Sequence, residues 1–155
     1  MKKLLVLFSL LFVSISAFSQ SADVITDILD SQQATLGQIC YLAAVQKGYV
    51  SEKATYQQAL QAMEERRKIP SYQYADMPVP YANLSYIYAQ VWDVKGGIMY
   101  RLFKAAPRYA FKQLKYDGVL PANADPNHLV SGKEALDVLT MCSVKYGNME
   151  LTIDE

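Results

Sequence analysis

Apolar side chains recur every three to four residues from Ala22 onward, and strict apolar-polar alternation is rare. A period near 3.6 puts such residues on one side of a helix, so the pattern predicts an all-α fold. The first helix is expected over Ala22 to Leu29, with Val24, Ile25, Ile28 and Leu29 on its inner side. Thr35 reads as the N-cap of a second helix, in which Leu36, Ile39, Cys40, Leu42, Ala43 and Val45 form a broad buried face ended by Gly48. Ser51 and Thr55 offer starts for a third, which turns Ala59, Leu60, Ala62 and Met63 inward. Its expected stop is Ile69-Pro70, because proline lacks the N–H that would continue the ladder and pushes its predecessor out of the α region. A Tyr- and Pro-rich loop from Ser71 to Pro80 precedes a fourth helix from Tyr81 to Val94, which buries Leu84, Ile87, Tyr88 and Val91 and brings Trp92 to the same side. Gly96-Gly97 closes it, and a short amphipathic piece from Ile98 to Lys104 leads to a helix from Arg108 to Tyr116. After a polar loop, Ser131 caps a last helix through Val144 with Ala135, Leu136, Val138, Leu139 and Cys142 facing in.

The first nineteen residues follow a different rule. Lys2 and Lys3, the unbroken apolar run Leu4 to Val13, and the small and polar residues Ser14 to Ser19 stand in the order of a secretory signal peptide. Cleavage is expected before Gln20, with cleavage after Ala17 as the alternative. The run is shorter than the roughly 20 apolar residues that span a bilayer, and no Cys nearby invites lipid attachment. The expectation is an exported protein, periplasmic or at the cell envelope or beyond, with residues 20–155 forming a single helical domain. No later stretch predicts a transmembrane segment. The chain has equal numbers of acidic and basic residues, and removing two lysines leaves it slightly acidic. That balance argues against a nucleic-acid partner and against a polybasic membrane patch.

Two cysteines, Cys40 and Cys142, stand near opposite ends of the domain on apolar helical faces. An oxidising compartment would permit a disulfide, which would close a long loop. The alternative is two unpaired thiols packed as small hydrophobes.

The chain also carries an internal repeat. A shift of 51 residues sets Ala59 on Ala110, Met63 on Leu114, Ile69-Pro70 on Leu120-Pro121, Val79 on Val130 and Ile87 on Val138. The matched positions are buried helix faces and helix boundaries, which is where a structural repeat leaves its trace. Segment 34–47 fits the second helix of the same unit, with Ile39 and Leu42 over Leu84 and Ile87. The expected organisation is a half unit at about 34–47 and units at about 56–94 and 108–144.

The last unit reads Tyr109-Ala110-Phe111-Lys112-Gln113-Leu114, then Asp117-Gly118-Val119-Leu120, a polar loop, and Val130-Ser131-Gly132-Lys133-Glu134-Ala135. This resembles the S-layer homology module, in which a helix ends in a Gly-hydrophobic step and a second helix opens with a hydrophobic-Thr-Arg-x-Glu signature. Ser131 stands where that family has Thr, and Gly132 and Lys133 stand about where it has Arg. The middle unit's Val79-Pro80-Tyr81-Ala82-Asn83 keeps neither the basic residue nor the carboxylate. The resemblance implies a small bundle of helix-loop-helix units, often in threes, and non-covalent attachment to envelope glycan. Carried over by position, Lys133 and Glu134 are the glycan-binding candidates.

Other chemistry is sparse. Asn123, Asp125, Asn127 and Glu134 fall at positions one, three, five and twelve of a calcium loop, but His128 replaces its sharp-turn glycine and Pro126 restricts it. The same residues equally form a turn whose side chains satisfy local backbone groups. His128 is the only histidine, which excludes a His-rich metal site. No glycine-rich phosphate loop is present, and no cofactor is implied. Tyr72, Tyr74, Tyr81, Tyr86, Tyr88 and Trp92 form an aromatic-rich stretch that can stack on sugars or anchor a partner protein; the alternative is that Tyr88 and Trp92 pack in the core while Tyr72 and Tyr74 cover a loop. The reading that follows is a non-enzymatic envelope component that binds glycan. The alternative is a periplasmic adaptor that uses the Tyr-rich loop to hold an envelope protein.

Overall fold

The computed structural model describes residues 22–71, 74–103 and 106–147. The expected signal peptide, Tyr72 and the C-terminal tail lie outside the described residues. Among them the elements are helical: α1 (22–30), α2 (Leu36–Gln46), α3 (Tyr56–Glu65), α4 (Tyr81–Val91), α5 (Ile98–Leu102), α6 (Pro107–Tyr116) and α7 (Gly132–Tyr146). Among the described residues no helix is long and apolar enough to cross a membrane.

Helix starts follow local chemistry. Thr35, Thr55 and Ser131 each close a capping box, accepting from the backbone N–H three residues on while Gln38, Gln58 or Glu134 returns a bond to the cap's own N–H. Pro107 opens α6, where its missing N–H costs nothing. The last helix runs two residues past Val144, to Tyr146, and two other helices stop early. α3 ends at Glu65, before Ile69-Pro70, because Arg67 turns left-handed (φ 54°) and Lys68 N–H returns to Met63 O at 3.0 Å. α4 likewise ends at Val91, short of Val94, where Asp93 takes φ 46° and Val94 N–H reaches Ala89 O.

These boundaries obey the repeat. α3 and α4 begin at residues 56 and 81, and α6 and α7 begin 51 positions later at 107 and 132. Left-handed Arg67 and Gly118 are also 51 apart, and the Lys68–Met63 bond is matched by Val119 N–H to Leu114 O at 2.9 Å. α2 precedes α4 by 45 positions, as Gly48 (φ 67°) precedes Asp93.

The three equivalent helices α2, α4 and α7 all touch one another, while α3 lies along α2 and α6 along α4. The residues just ahead of them, Ala34, Val79 and Val130, stand at equivalent repeat positions and are all buried. Their backbones form a closed ring. Ala34 N–H donates to Val130 O (2.7 Å), Val130 N–H to Val79 O (3.0 Å), and Val79 N–H to Ala34 O (3.1 Å). Each unit therefore satisfies one buried donor and one buried acceptor of its neighbours, groups that are costly to leave unpaired. The first N–H of each helix is also satisfied across units: Leu36 by Met77 O, Tyr81 by His128 O, and Gly132 by Ser31 O.

The ring makes the first unit a full partner. Residues 34–47 act as a third helix start, preceded by α1 and a five-residue loop where the other units have fifteen residues. Behind the ring a single apolar cluster runs from Ile28 to Tyr146. At equivalent positions its side chains compensate in size: Ile39, Leu84 and Ala135 at one level, Ala43, Tyr88 and Leu139 at another, all buried. The Tyr88 hydroxyl donates to Ala135 O at 3.2 Å, so its one polar atom is spent inside the core. Leu29, expected inside, is exposed, since α1 turns Ile28 alone fully inward.

Candidate functional site

The cleft that draws Asn123, Asp125, Asn127 and Glu134 together lies where the loop of the third unit crosses the start of α4. It has a volume of about 370 Å³ and is lined by Tyr81, Pro121, Asn123, Ala124, Asp125, Asn127, His128 and Glu134. Two backbone bonds hold the loop there, from Tyr81 N–H to His128 O and from Ala82 N–H to Pro126 O, each 3.0 Å. Asp125 Oδ1 accepts from Asn127 N–H at 2.9 Å and fixes the turn.

Glu134 is the hub. Its Oε2 accepts from Ser131 N–H at 2.8 Å and from Ser131 Oγ–H at 2.9 Å, while Oε1 accepts from the Tyr81 hydroxyl at 3.2 Å. His128 Nε2 approaches the same carboxylate at 3.3 Å, and its ring stacks on Tyr81 with centroids 5.7 Å apart. Partial burial pushes the Glu134 carboxyl up, but the Ser131 bonds and His128 outweigh it and hold it below its ordinary value. Burial, with the Glu134 charge beside it, pushes the Tyr81 phenol up to about 12. The pair thus stays as a neutral phenol donating to a carboxylate.

The calcium-loop residues do meet in this cleft. Glu134, the strongest would-be ligand, already receives four bonds or close contacts, and Asp125 gives one oxygen to the turn. Among the described residues no cluster of three or more His, Cys, Asp or Glu side chains is placed to hold a metal ion. The local geometry is that of a capped turn, with Asn123, Asp125, Asn127 and His128 exposed along its rim.

Of the glycan candidates, only Glu134 lines the cleft. Lys133 is exposed on α7 outside it. Trp92 is buried edge-on against Tyr88, so its ring is core and offers no stacking surface. Tyr74 is exposed on the loop before α4. The sequence names Tyr81 and His128 separately and does not pair them, because only ring closure brings the third loop onto the start of α4. The cysteines are free thiols and form no disulfide. Both are buried, which pushes each up to about 12.

No family model matches the chain, and no curated protein or solved structure matches it either.

Proposed function

We propose that this chain is an exported, non-catalytic envelope module of the S-layer homology kind, and that its inter-unit cleft binds envelope glycan. The observation that carries this reading is the closed ring of three helix starts, the arrangement expected of such modules acting in threes. The cleft supports it chemically. Amide, carboxylate and imidazole groups on a pinned loop offer donors and acceptors to a hydroxyl-rich ligand, and the ionisable pair Tyr81–Glu134 is committed to holding the loop. Purified envelope glycan should sediment the protein, and His128→Ala or Asn123→Ala, both at exposed positions, should weaken that by at least about fivefold with the fold intact. Failure of the glycan to retain the wild type would refute the reading.

The second reading, an adaptor for an envelope protein, is favoured by Tyr74 and Met77, exposed together on the loop before α4. Its signature is recovery of one envelope protein by the wild type and its loss with Tyr74→Ala.

A further inference from the structure

The linker from α4 to α6 is longer than its counterpart from α2 to α3, residues 92–106 against 47–55, and the extra length forms α5. The repeat closes without such a helix, so the ring does not require its exposed side chains. They are unusually apolar for a surface. Ile98 is 78% exposed, Leu102 69%, Met99 55% and Phe103 47%, and the i, i+4 spacing sets Ile98 beside Leu102 and Met99 beside Phe103. Tyr100 alone points inward and roots the helix in the core. The cleft between α5 and α6 extends this face to Tyr109, Lys112 and Tyr116.

Between Asp93 and Asp117, which flank it, the segment carries charge of one sign. Residues 94–116 hold six Lys and Arg and no Asp or Glu, in a chain with fifteen of each. Lys95, Arg101, Arg108 and Lys112 are exposed. The balanced net charge of the whole chain concealed this segregation.

We propose that α5 and the adjoining face of α6 dock on an anionic lipid bilayer surface, with Ile98, Met99, Leu102 and Phe103 entering the interface and Arg101, Arg108 and Lys112 lying among the headgroups. A second copy of the chain fits poorly, because its own cations would face these. A headgroup layer supplies both the negative charge and an apolar layer directly beneath it. This surface shares no residue with the glycan cleft, so the two proposals stand or fall separately.

The test is flotation of the chain from residue 20, which contains every helix and core residue described, with vesicles of phosphatidylcholine alone or mixed with phosphatidylglycerol. The protein is expected to float with the anionic vesicles only, and to be released by high salt. Ile98→Asp with Leu102→Asp should abolish flotation at unchanged helicity, and Arg101→Gln with Lys112→Gln should weaken it by about tenfold or more. The proposal is overturned if the wild type stays with the lipid-free fraction, or if the aspartate variant floats as well as the wild type. It is equally overturned if light scattering shows a dimer that the aspartate variant makes monomeric.

Discussion

The hydroxyl of Tyr81, first residue of α4, donates across the unit boundary to the carboxylate of Glu134, third residue of α7, at 3.2 Å. One carboxylate therefore caps its own helix and ties down the start of another. Glu134→Gln retains a capping side chain and removes the charge. Because the folded carboxyl is held below its ordinary value, its contribution is fully present above that value and is lost as pH falls through the folded one. The variant should be less stable than the wild type by about 1 kcal/mol at neutral pH. Urea midpoints should show this gap closing as the pH drops below the ordinary carboxylate range, and a gap independent of pH would contradict it.

Of the described glycines, Gly132 leaves the least room for a side chain. A Cβ there would lie 1.6 Å from Ile28 O, a backbone atom that cannot step aside without moving α1. Gly132→Ala should cost at least about 3 kcal/mol or prevent folding. Gly147, with nothing within 4 Å of a built Cβ, is the control, and its alanine variant should be nearly neutral. Equal thermal midpoints for the two variants would show that α1 does not lie against α7.

The thiols should be inert in the native state. Burial keeps Cys40 and Cys142 protonated, so a thiol reagent at pH 8 should modify neither until denaturant is added, and then both together. Fast modification of one in the absence of denaturant would place it outside the core.

Tyrosines set the alkaline limit. Burial pushes the phenols of Tyr56, Tyr81 and Tyr100 up to about 12 and those of Tyr88 and Tyr146 up as well. A raised folded value means the contribution is complete below the ordinary phenol value of 10.0 and is lost as pH rises through the folded one. Phenolate absorbance for these residues should therefore appear together with loss of helical circular dichroism between about pH 10 and 12. Their gradual titration with helicity unchanged would contradict this.

Apolar period and capping chemistry made the helices legible, since both are properties of a few adjacent residues. Thr35, Thr55 and Ser131 announce their helices within four positions. The ends of α3 and α4 were not legible. Arg67 and Asp93 adopt a conformation usually left to glycine, which Asp tolerates and nothing local favours at Arg67. Arg67 holds a turn that sets Lys68 for a 2.9 Å ion pair with Asp93, a contact made only in the finished fold. The site was half legible: spacing drew attention to Asn123, Asp125, Asn127 and Glu134, which do share a cleft. Their partners Tyr81 and His128 belong to it only because three units close on one another. Trp92 was open to two readings, since an aromatic suits both a core and a binding surface, and it takes the core.

The ring itself is best read by native-state hydrogen exchange at three amides, those of Ala34, Val79 and Val130. Closure of the ring predicts that all three exchange only through global unfolding, with protection equal within about tenfold and the same denaturant dependence. An Ala34 amide exchanging a hundredfold or more faster than the other two, by roughly the local opening expected of an unclosed end, would mean that the first unit does not complete the ring.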